Sequence, residues 1–258
     1  KAVTYNISDT ATNIAGGNAT GRNEAVDITA TTSATISEAT TIEGASNSGS
    51  ISFNIEDTAA AISGSTNEFL SKTGIGTVTV EGIALKDQAN TIGGFTKAVV
   101  FSISDEAVNV AAINSAALNK AVNISTTTSA TVAEATTIDN ASNSGSNTYN
   151  IEDNGTNIAA SSSEFLAKAG TVTVSGTVNK AQANTIGGFA KAVNYNIADD
   201  AVNIAAINSG SLNEAINITA NTAATVAEAK IIDDASNSGS NTYLSLIHIS
   251  EPTRHESI

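Results

Sequence analysis

The sequence predicts an α/β fold, specifically a right-handed solenoid of about 23-residue strand–helix units with one parallel β-sheet. Three observations predict it. A long segment recurs along the chain, short segments alternate between apolar and polar residues, and helix-start signals lie between those segments. A chain that returns to the same sheet edge after each helix builds parallel strands through right-handed crossovers. The alternative is an all-β parallel helix, because short apolar runs do not separate strand from helix.

The longest repeat is about 95 residues. Lys1–Ile7 (KAVTYNI) returns as Lys97–Ile103 (KAVVFSI) and Lys191–Ile197 (KAVNYNI), at offsets of 96 and 94. We therefore expect one repeat solenoid over residues 1–243, made of the long repeats 1–96, 97–190 and an incomplete 191–243.

Each long repeat divides into four strand-bearing units. In one of them Val193, Tyr195 and Ile197 alternate with Asn194 and Asn196, which predicts a half-buried strand. Similar segments are expected to end, at spacings of 21, 27, 25 and 23 residues, at Ile7, Ile28, Ile55, Val80 and Ile103.

Helix starts are predicted between the strands. Thr131 and Glu134 form a capping-box pattern, in which each side chain accepts from a backbone amide near the other residue. The same pattern occurs at Thr35 and Glu38, Thr225 and Glu228, and Ser161 and Glu164. Apolar stripes on the helices are expected at Val132, Ala135 and Ile138, and at Leu85, Ala89 and Ile92.

Aspartates recur directly after the strands, at Asp9, Asp57, Asp105, Asp153 and Asp199. Calcium prefers clustered oxygen ligands, but the glycine-rich calcium nonapeptide is absent. Carboxylates also stabilise helix starts, and we favour that capping role.

Composition and charge argue against several functions. The net charge of −14 disfavours nucleic acid and anionic membrane surfaces as partners, and no apolar run reaches membrane-spanning length. Apart from the two histidines near the C-terminus, no His or Cys is present, and the carboxylates recur in successive units instead of forming a singular pair. We expect no enzyme, no catalytic, cofactor-binding or metal-ligating residue, and no cofactor.

The outward faces of the strands form a polar strip that could bind carbohydrate or another protein. Regular Thr-x-Thr, typical of ice-binding arrays, occurs only at Thr77–Thr79 and Thr171–Thr173. The simpler interpretation is a solvated face with ladders of side-chain amides. The outer strip comprises Thr4, Asn6, Asp27, Thr29, Asn123, Ser125, Asn194, Asn196, Asn217 and Thr219.

The repeat pattern stops after Tyr243. All eleven residues of Leu244–Arg254 (LSLIHISEPTR) match the translation of a transposase adapter used in preparing sequencing libraries. We therefore expect a coding fragment from environmental DNA, with residues 244–258 a non-native, disordered tail. On this interpretation His248, Glu251 and His255 do not form a metal or catalytic cluster, and a natural C-terminal cap is the alternative.

The repeat texture resembles that of very large, acidic bacterial surface proteins of the adhesin-like, haemolysin-type class. The segments that carry the resemblance are Ala130–Asp139 (ATVAEATTID), Tyr149–Ala160 (YNIEDNGTNIAA) and Ala192–Thr219. The resemblance implies an extracellular or cell-surface spacer or adhesin segment. Its implied partners are cell-surface glycans or proteins and neighbouring repeats of the full-length chain.

Overall fold

The computed structural model describes residues 3–245, which form two compact blocks. The first block contains the residues up to Thr128 together with Ala133–Tyr149. The second contains Ser129–Val132 together with the residues from Asn150 onward. Residues 246–258 of the predicted tail lie outside the described residues. Its first two residues, Leu244 and Ser245, belong to the last strand.

Residues 3–245 contain thirteen strands and fifteen helices. The strands are β1 (Ile7–Asp9), β2 (Ile28–Ala30), β3 (Ile51–Thr58), β4 (Ile75–Glu81), β5 (Val99–Val100), β6 (Ile103–Asp105), β7 (Ile124–Thr126), β8 (Asn147–Thr148), β9 (Ile151–Asn154), β10 (Val172–Val178), β11 (Asn194–Asp199), β12 (Ile218–Ala224) and β13 (Asn241–Ser245). The helices are α1 (Ala11–Gly16), α2 (Ala19–Glu24), α3 (Ile36–Glu43), α4 (Ala59–Ser63), α5 (Asn67–Leu70), α6 (Lys86–Gly93), α7 (Ala107–Ala111), α8 (Ser115–Lys120), α9 (Val132–Asp139), α10 (Gly155–Ala160), α11 (Ser163–Ala167), α12 (Lys180–Ile186), α13 (Ala201–Ile204), α14 (Ser209–Glu214) and α15 (Val226–Asp233).

All strand pairs described in residues 3–245 are parallel, and they form three sheets. The first block holds β1 to β5 and β6 to β8, and the second holds β9 to β13, each in sequence order. The predicted α/β class and parallel pairing are confirmed, but the prediction of one sheet is wrong. Residues 101–102 separate β5 from β6, and residues 149–150 separate β8 from β9, without belonging to a strand.

The strand register corrects the predicted spacings. Ile28 pairs with Ile51 and not with Ile55, which instead pairs with Val78 and forms an isolated bridge to Ala34. The predicted spacing of 27 residues therefore becomes a register offset of 23. In addition, β1 and β2 begin at Ile7 and Ile28, where the predicted strands ended. The strands extend further because their last residues still hydrogen-bond to the neighbouring strand, as in the bond from the Thr31 amide to the Asp9 carbonyl, 2.8 Å.

Helices alternate between single helices of seven or eight residues and pairs of helices of four to six residues. The fifteen helices within residues 3–245 exclude the all-β alternative. The sequence predicted one helix in each unit and missed most of the second members of the pairs. Those helices are too short to show an apolar period, since α5 buries only Leu70.

Capping motifs confirm several predicted helix starts and correct one. Both halves of the capping box form at Thr35 and Glu38 and at Thr225 and Glu228. Ser161 is not a helix start, because the hydroxyl of the next residue, Ser162, accepts from the Phe165 amide at 3.2 Å. Ser161 instead ends the preceding helix, α10.

The core is built mainly from Ile and Ala, with several Val. Ile28, Ile124 and Ile218 are fully buried on the sheets, and Ala39 and Ala89 are fully buried on the helices. Two of the apolar residues that lie outside this core are Val3 and Leu85, and Leu85 was predicted to belong to an apolar helix stripe. Val3 is 75% exposed at the start of the described chain, and Leu85 is 50% exposed because it precedes α6 as its cap residue.

Glycine is required where two helices meet closely. A Cβ at Gly93, the last residue of α6, would lie 2.6 Å from the Ala117 Cα of α8, and one at Gly187 would lie 2.8 Å from the Ser211 Cα. Both glycines have negative φ, so the close approach of two helices explains them better than backbone conformation.

Within residues 3–245 no helix combines the length and apolarity that a bilayer crossing needs.

Candidate functional site

The outer strip contains a ladder of hydrogen bonds between neighbouring units. The Oδ1 atom of Asp27 accepts from the backbone amide and hydroxyl of Ser50, at 2.8 and 2.7 Å. Asn123 makes the same pair of bonds to Ser146, at 3.1 and 3.2 Å, and Asn217 makes them to Ser240, at 3.0 and 3.2 Å. These three outer-strip side chains therefore hold the turn that leads into the next strand.

A second set of outer-strip residues joins adjacent strands. The Asn6 Oδ1 accepts from the Asp27 amide at 3.1 Å. The Asn196 Oδ1 accepts from the amide of Asn217 at 3.2 Å and from its Nδ2 at 2.8 Å. The predicted ladder of side-chain amides is confirmed at these positions, and it accounts for the acceptor oxygens that a ligand could have used.

The remaining members of the outer strip divide into engaged and free residues. The Ser125 hydroxyl donates to the Ile103 carbonyl at 3.3 Å. By contrast, four exposed side chains make no hydrogen bond within residues 3–245. They are Thr4 and Thr29 in the first block, and Asn194 and Thr219 in the second.

The recurring aspartates form an aspartate ladder, composed of Asp9, Asp57, Asp105, Asp153 and Asp199. The inner members of this ladder are Asp57, Asp105, Asp153 and Asp199. In each of them the two carboxylate oxygens cap two different helices. Oδ1 accepts from the amide of the following residue at the start of the next helix, at 2.7 to 2.8 Å. Oδ2 accepts from the first amide of the helix in the preceding unit, at 2.9 to 3.0 Å. These bonds confirm the capping interpretation and show that each inner aspartate also joins two units.

An asparagine four residues later completes most of these sites. The Nδ2 atoms of Asn109 and Asn203 donate to Asp105 and Asp199 at 3.0 and 2.8 Å, and Asn157 donates to Asp153 at 2.9 Å. The Asp-x-x-x-Asn spacing is the sequence signal for this pair, and it was not used in the prediction.

The hydrogen bonds shift the pKa of two inner aspartates. Burial on its own raises the pKa of Asp105, but the Lys86 amide, the Asn109 side chain, the Glu106 amide and the Lys86 charge together hold it below its ordinary value. Asp199 has a lowered pKa for the corresponding reasons. Both side chains are thus arranged to remain carboxylates.

Threonines that the sequence analysis did not single out cap the helices of other units. The Oγ1 atoms of Thr32, Thr128 and Thr222 accept from the first amides of α1, α7 and α13, at 3.0, 2.9 and 3.0 Å. Their separations of 96 and 94 residues equal the long-repeat offsets, so the repeat alignment contained the signal.

Several cations bind backbone carbonyls at helix ends instead of carboxylates. The Arg22 Nη1 donates to the Ile14, Ala15 and Gly17 carbonyls at 2.9, 3.1 and 2.6 Å. The Lys120 Nζ donates to the Gly93 carbonyl at 2.6 Å. The net charge of −14 follows from the excess of 25 Asp and Glu over 11 Lys and Arg.

A shallow cleft of about 610 Å³ lies beside β3 and β4 in the first block, and the Lys72–Glu43 ion pair of 3.3 Å forms part of its lining. In residues 3–245, no cluster of three or more His, Cys, Asp or Glu side chains has the geometry to hold a metal ion. The predicted non-functional residues His248, Glu251 and His255 lie outside the described residues.

No protein-family model, no curated protein and no solved structure matches this chain.

Proposed function

We propose that this chain is a structural, adhesion-type repeat segment of a large bacterial cell-surface or secreted protein, without enzymatic activity. Its proposed architecture is a right-handed solenoid of about 23-residue strand–helix units, since strand–helix–strand crossovers are right-handed in nearly all proteins. The proposal is supported by the resemblance of its repeat texture to acidic bacterial surface proteins.

The observation that carries the proposal is how the recurring polar side chains are used. Asp153 and Asn217 each accept a hydrogen bond from a backbone amide of a neighbouring unit. A catalytic or ligand-binding group at these recurring positions would have to be accessible, whereas these side chains are used to join units. Equivalent residues do the same in other units. A chain in which each unit supplies caps for the next is suited to repetition, because stability is then a sum of unit and interface contributions.

Deleting one long repeat tests the architecture. Removing residues 97–190 joins Thr96 to Lys191 and preserves the junction between long repeats. The shortened chain is expected to fold cooperatively, with the same helix and sheet signals per residue in far-UV circular dichroism and a lower free energy of unfolding. An unfolded product, or one that loses its helical minima, contradicts a stack of equivalent units.

The surface location is tested by the genomic sequence on both sides of this reading frame. An export signal together with further copies of the long repeat supports the proposal. A complete reading frame with neither an export signal nor a surface anchor contradicts it.

A second candidate function is recognition of glycans or proteins by the outer strip. The free side chains of Asn194 and Thr219 favour it, because hydroxyl and amide groups outside the ladder are available to a sugar. On a glycan array, the Asn194→Ala, Thr219→Ala double variant is expected to lose binding and keep the wild-type unfolding midpoint. The control, Asn217→Ala, should lower the midpoint because it removes the bonds to Ser240. An array without a hit eliminates this candidate.

A further inference from the structure

In the first block, the interface between α6 and the α7–α8 pair shows how a single-helix unit joins the helix-pair unit after it. The Ala84 amide donates to the Ser102 carbonyl at 2.8 Å, and the Ser104 amide donates to the Ala84 carbonyl at 3.3 Å. The Lys86 amide, at the start of α6, donates to Asp105 Oδ2 at 3.0 Å. The Ser102 carbonyl, the Ser104 amide and the Asp105 carboxylate therefore form the hydrogen bonds that join this segment to the preceding unit.

The helix layer of the same interface is equally specific. The Asn90 Oδ1 on α6 accepts from the backbone amide of Asn114 at 3.0 Å and from its Nδ2 at 2.7 Å. Close by, Gly93 of α6 leaves room for Ala117 of α8. The receiving helix thus supplies an asparagine cap and, three residues later, a small residue.

The free edge of β1 carries the same three sheet groups. By the 96-residue offset, Asn6, Ser8 and Asp9 correspond to Ser102, Ser104 and Asp105. Ile7 and Asp9 use their backbone groups toward β2, through the Asp27 carbonyl and the Thr31 amide at 2.8 Å each. Because alternate residues of a strand direct their backbone groups to opposite sides, the Asn6 carbonyl and the Ser8 amide face the free edge.

Within the described residues, Asp9 uses only one of its two carboxylate oxygens as a hydrogen-bond acceptor, whereas the inner members of the aspartate ladder use both. Its Oδ1 accepts from the Thr10 amide at 2.7 Å and from Asn13 Nδ2 at 2.9 Å. Within residues 3–245, its Oδ2 accepts from no donor, whereas Asp105 Oδ2 accepts from Lys86. The vacant oxygen is the one that caps a preceding helix elsewhere.

The helix layer beside β1 also retains the receiving features. Asn18 and Gly21 stand where α8 has Asn114 and Ala117. A cavity of about 170 Å³ opens beside them, with Ile7 and Ile14 among its lining residues. Ile7 is only half-buried, whereas its counterpart Ile103, covered by the preceding unit, is 1% exposed.

We infer that the free edge of β1, together with α1 and α2, is a docking face for one further single-helix unit whose helix begins with lysine. Lysine is expected as the first residue because Asp9 occupies the same place in the long repeat as Asp105 and Asp199. The helices that face those two aspartates begin with Lys86 and Lys180, whose charge complements the carboxylate. Asp57 occupies the other aspartate position of the long repeat, and the helix that faces it begins with Ile36 instead of lysine. The inference rests on the proposed repeat architecture and adds the register and the type of the incoming unit.

The test adds such a unit to the full chain. A copy of residues 171–190, which contains β10 and the single helix α12, is fused directly before Lys1 and reproduces the natural junction before Lys191. In native-state hydrogen exchange, the Ser8 amide is expected to slow at least tenfold relative to the unextended chain. The control carries an extension of the same length in which the copied helix is replaced by Gly and Ser, and its Ser8 amide should exchange as in the unextended chain.

Two substitutions in the extended chain test the chemistry. Asp9→Asn should reverse most of the Ser8 protection, although it should change exchange little in the unextended chain. Replacing the lysine that copies Lys180 with Val should reduce the protection several-fold and remove its dependence on salt. Equal Ser8 exchange with the copied and Gly/Ser extensions, or full protection retained in Asp9→Asn, overturns the inference. The deletion of residues 97–190 does not involve this edge, so its outcome judges the proposed architecture separately.

Discussion

Asp153→Ala is the substitution that most sharply tests the dual capping role of the aspartate ladder. The Asp153 side chain is buried, at 9% exposure, and its Oδ2 accepts from the Val132 amide at 2.9 Å. Its Oδ1 accepts from the Asn154 amide at 2.7 Å and from Asn157 Nδ2 at 2.9 Å. The substitution removes all of these acceptors at once.

The expected loss follows from the groups that lose this acceptor. Depriving a buried donor of its partner costs about 1–3 kcal/mol, and losing a helix cap costs about 1 kcal/mol. Because Val132 and Asn154 lie at the starts of two segments, we expect a total loss of about 3 kcal/mol in the free energy of unfolding. Asp153→Asn should lose roughly half as much, since its amide oxygen can still accept on one side.

Urea unfolding followed by circular dichroism measures these losses. The matched control is Glu152→Ala, which removes the same charge from an exposed neighbour on β9 and should change stability by less than about 0.5 kcal/mol. If Asp153→Ala and Glu152→Ala have equal effects, the carboxylate does not act as a double cap and the reasoning is refuted.

Three further predictions concern acid, cations and glycine. Hydrogen bonds depress the pKa of Asp105 and Asp199 in the folded chain. The stability that these carboxylates contribute is therefore complete above the unfolded-state pKa and is lost as pH falls through the lower folded-state pKa. Urea midpoints should be flat from about pH 5 to 7 and fall below about pH 4. An unchanged midpoint at pH 3 would contradict this. Calcium or a chelator should leave the thermal midpoint unchanged, because N–H donors already occupy both carboxylate oxygens of inner ladder members such as Asp105 and Asp199. A rise in the midpoint with calcium would revive the calcium hypothesis. Gly93→Ala should cost about 1–3 kcal/mol through overlap with Ala117, whereas the control Gly16→Ala, in open space within a helix, should gain about 0.5–1 kcal/mol; equal effects would show that the α6–α8 contact is looser than described.

The sequence was sufficient to predict the parallel strands and the capping boxes, because these depend on the repeat and on local pattern. Thr35 and Glu38 illustrate this, since both halves of their box lie within four residues. The double role of Asp105 could not be predicted in the same way. Its second partner, the Lys86 amide, lies nineteen residues upstream and becomes adjacent only through strand register.

Register also explains the main error in the outer strip. Asn194 and Asn196 look equivalent in the alternating pattern, yet Asn196 is bonded to Asn217 and Asn194 is exposed without a bond in the described chain. Which polar side chain becomes part of a ladder depends on the residue opposite it in the next strand. A single segment does not contain that information.

Native-state hydrogen exchange at the first amides of the single helices tests the account most directly. The first amide of a helix normally has no backbone acceptor, but those of Ile36, Lys86 and Lys180 donate to an aspartate of the next unit at 2.9 to 3.0 Å. The internal reference is the Ala19 amide at the start of α2, which has no acceptor within residues 3–245. We predict that the three capped amides exchange as slowly as neighbouring strand amides, at least a hundredfold slower than Ala19 after correction for intrinsic rates. Exchange of all three at the rate of Ala19 would contradict a chain whose units are joined by the aspartate ladder.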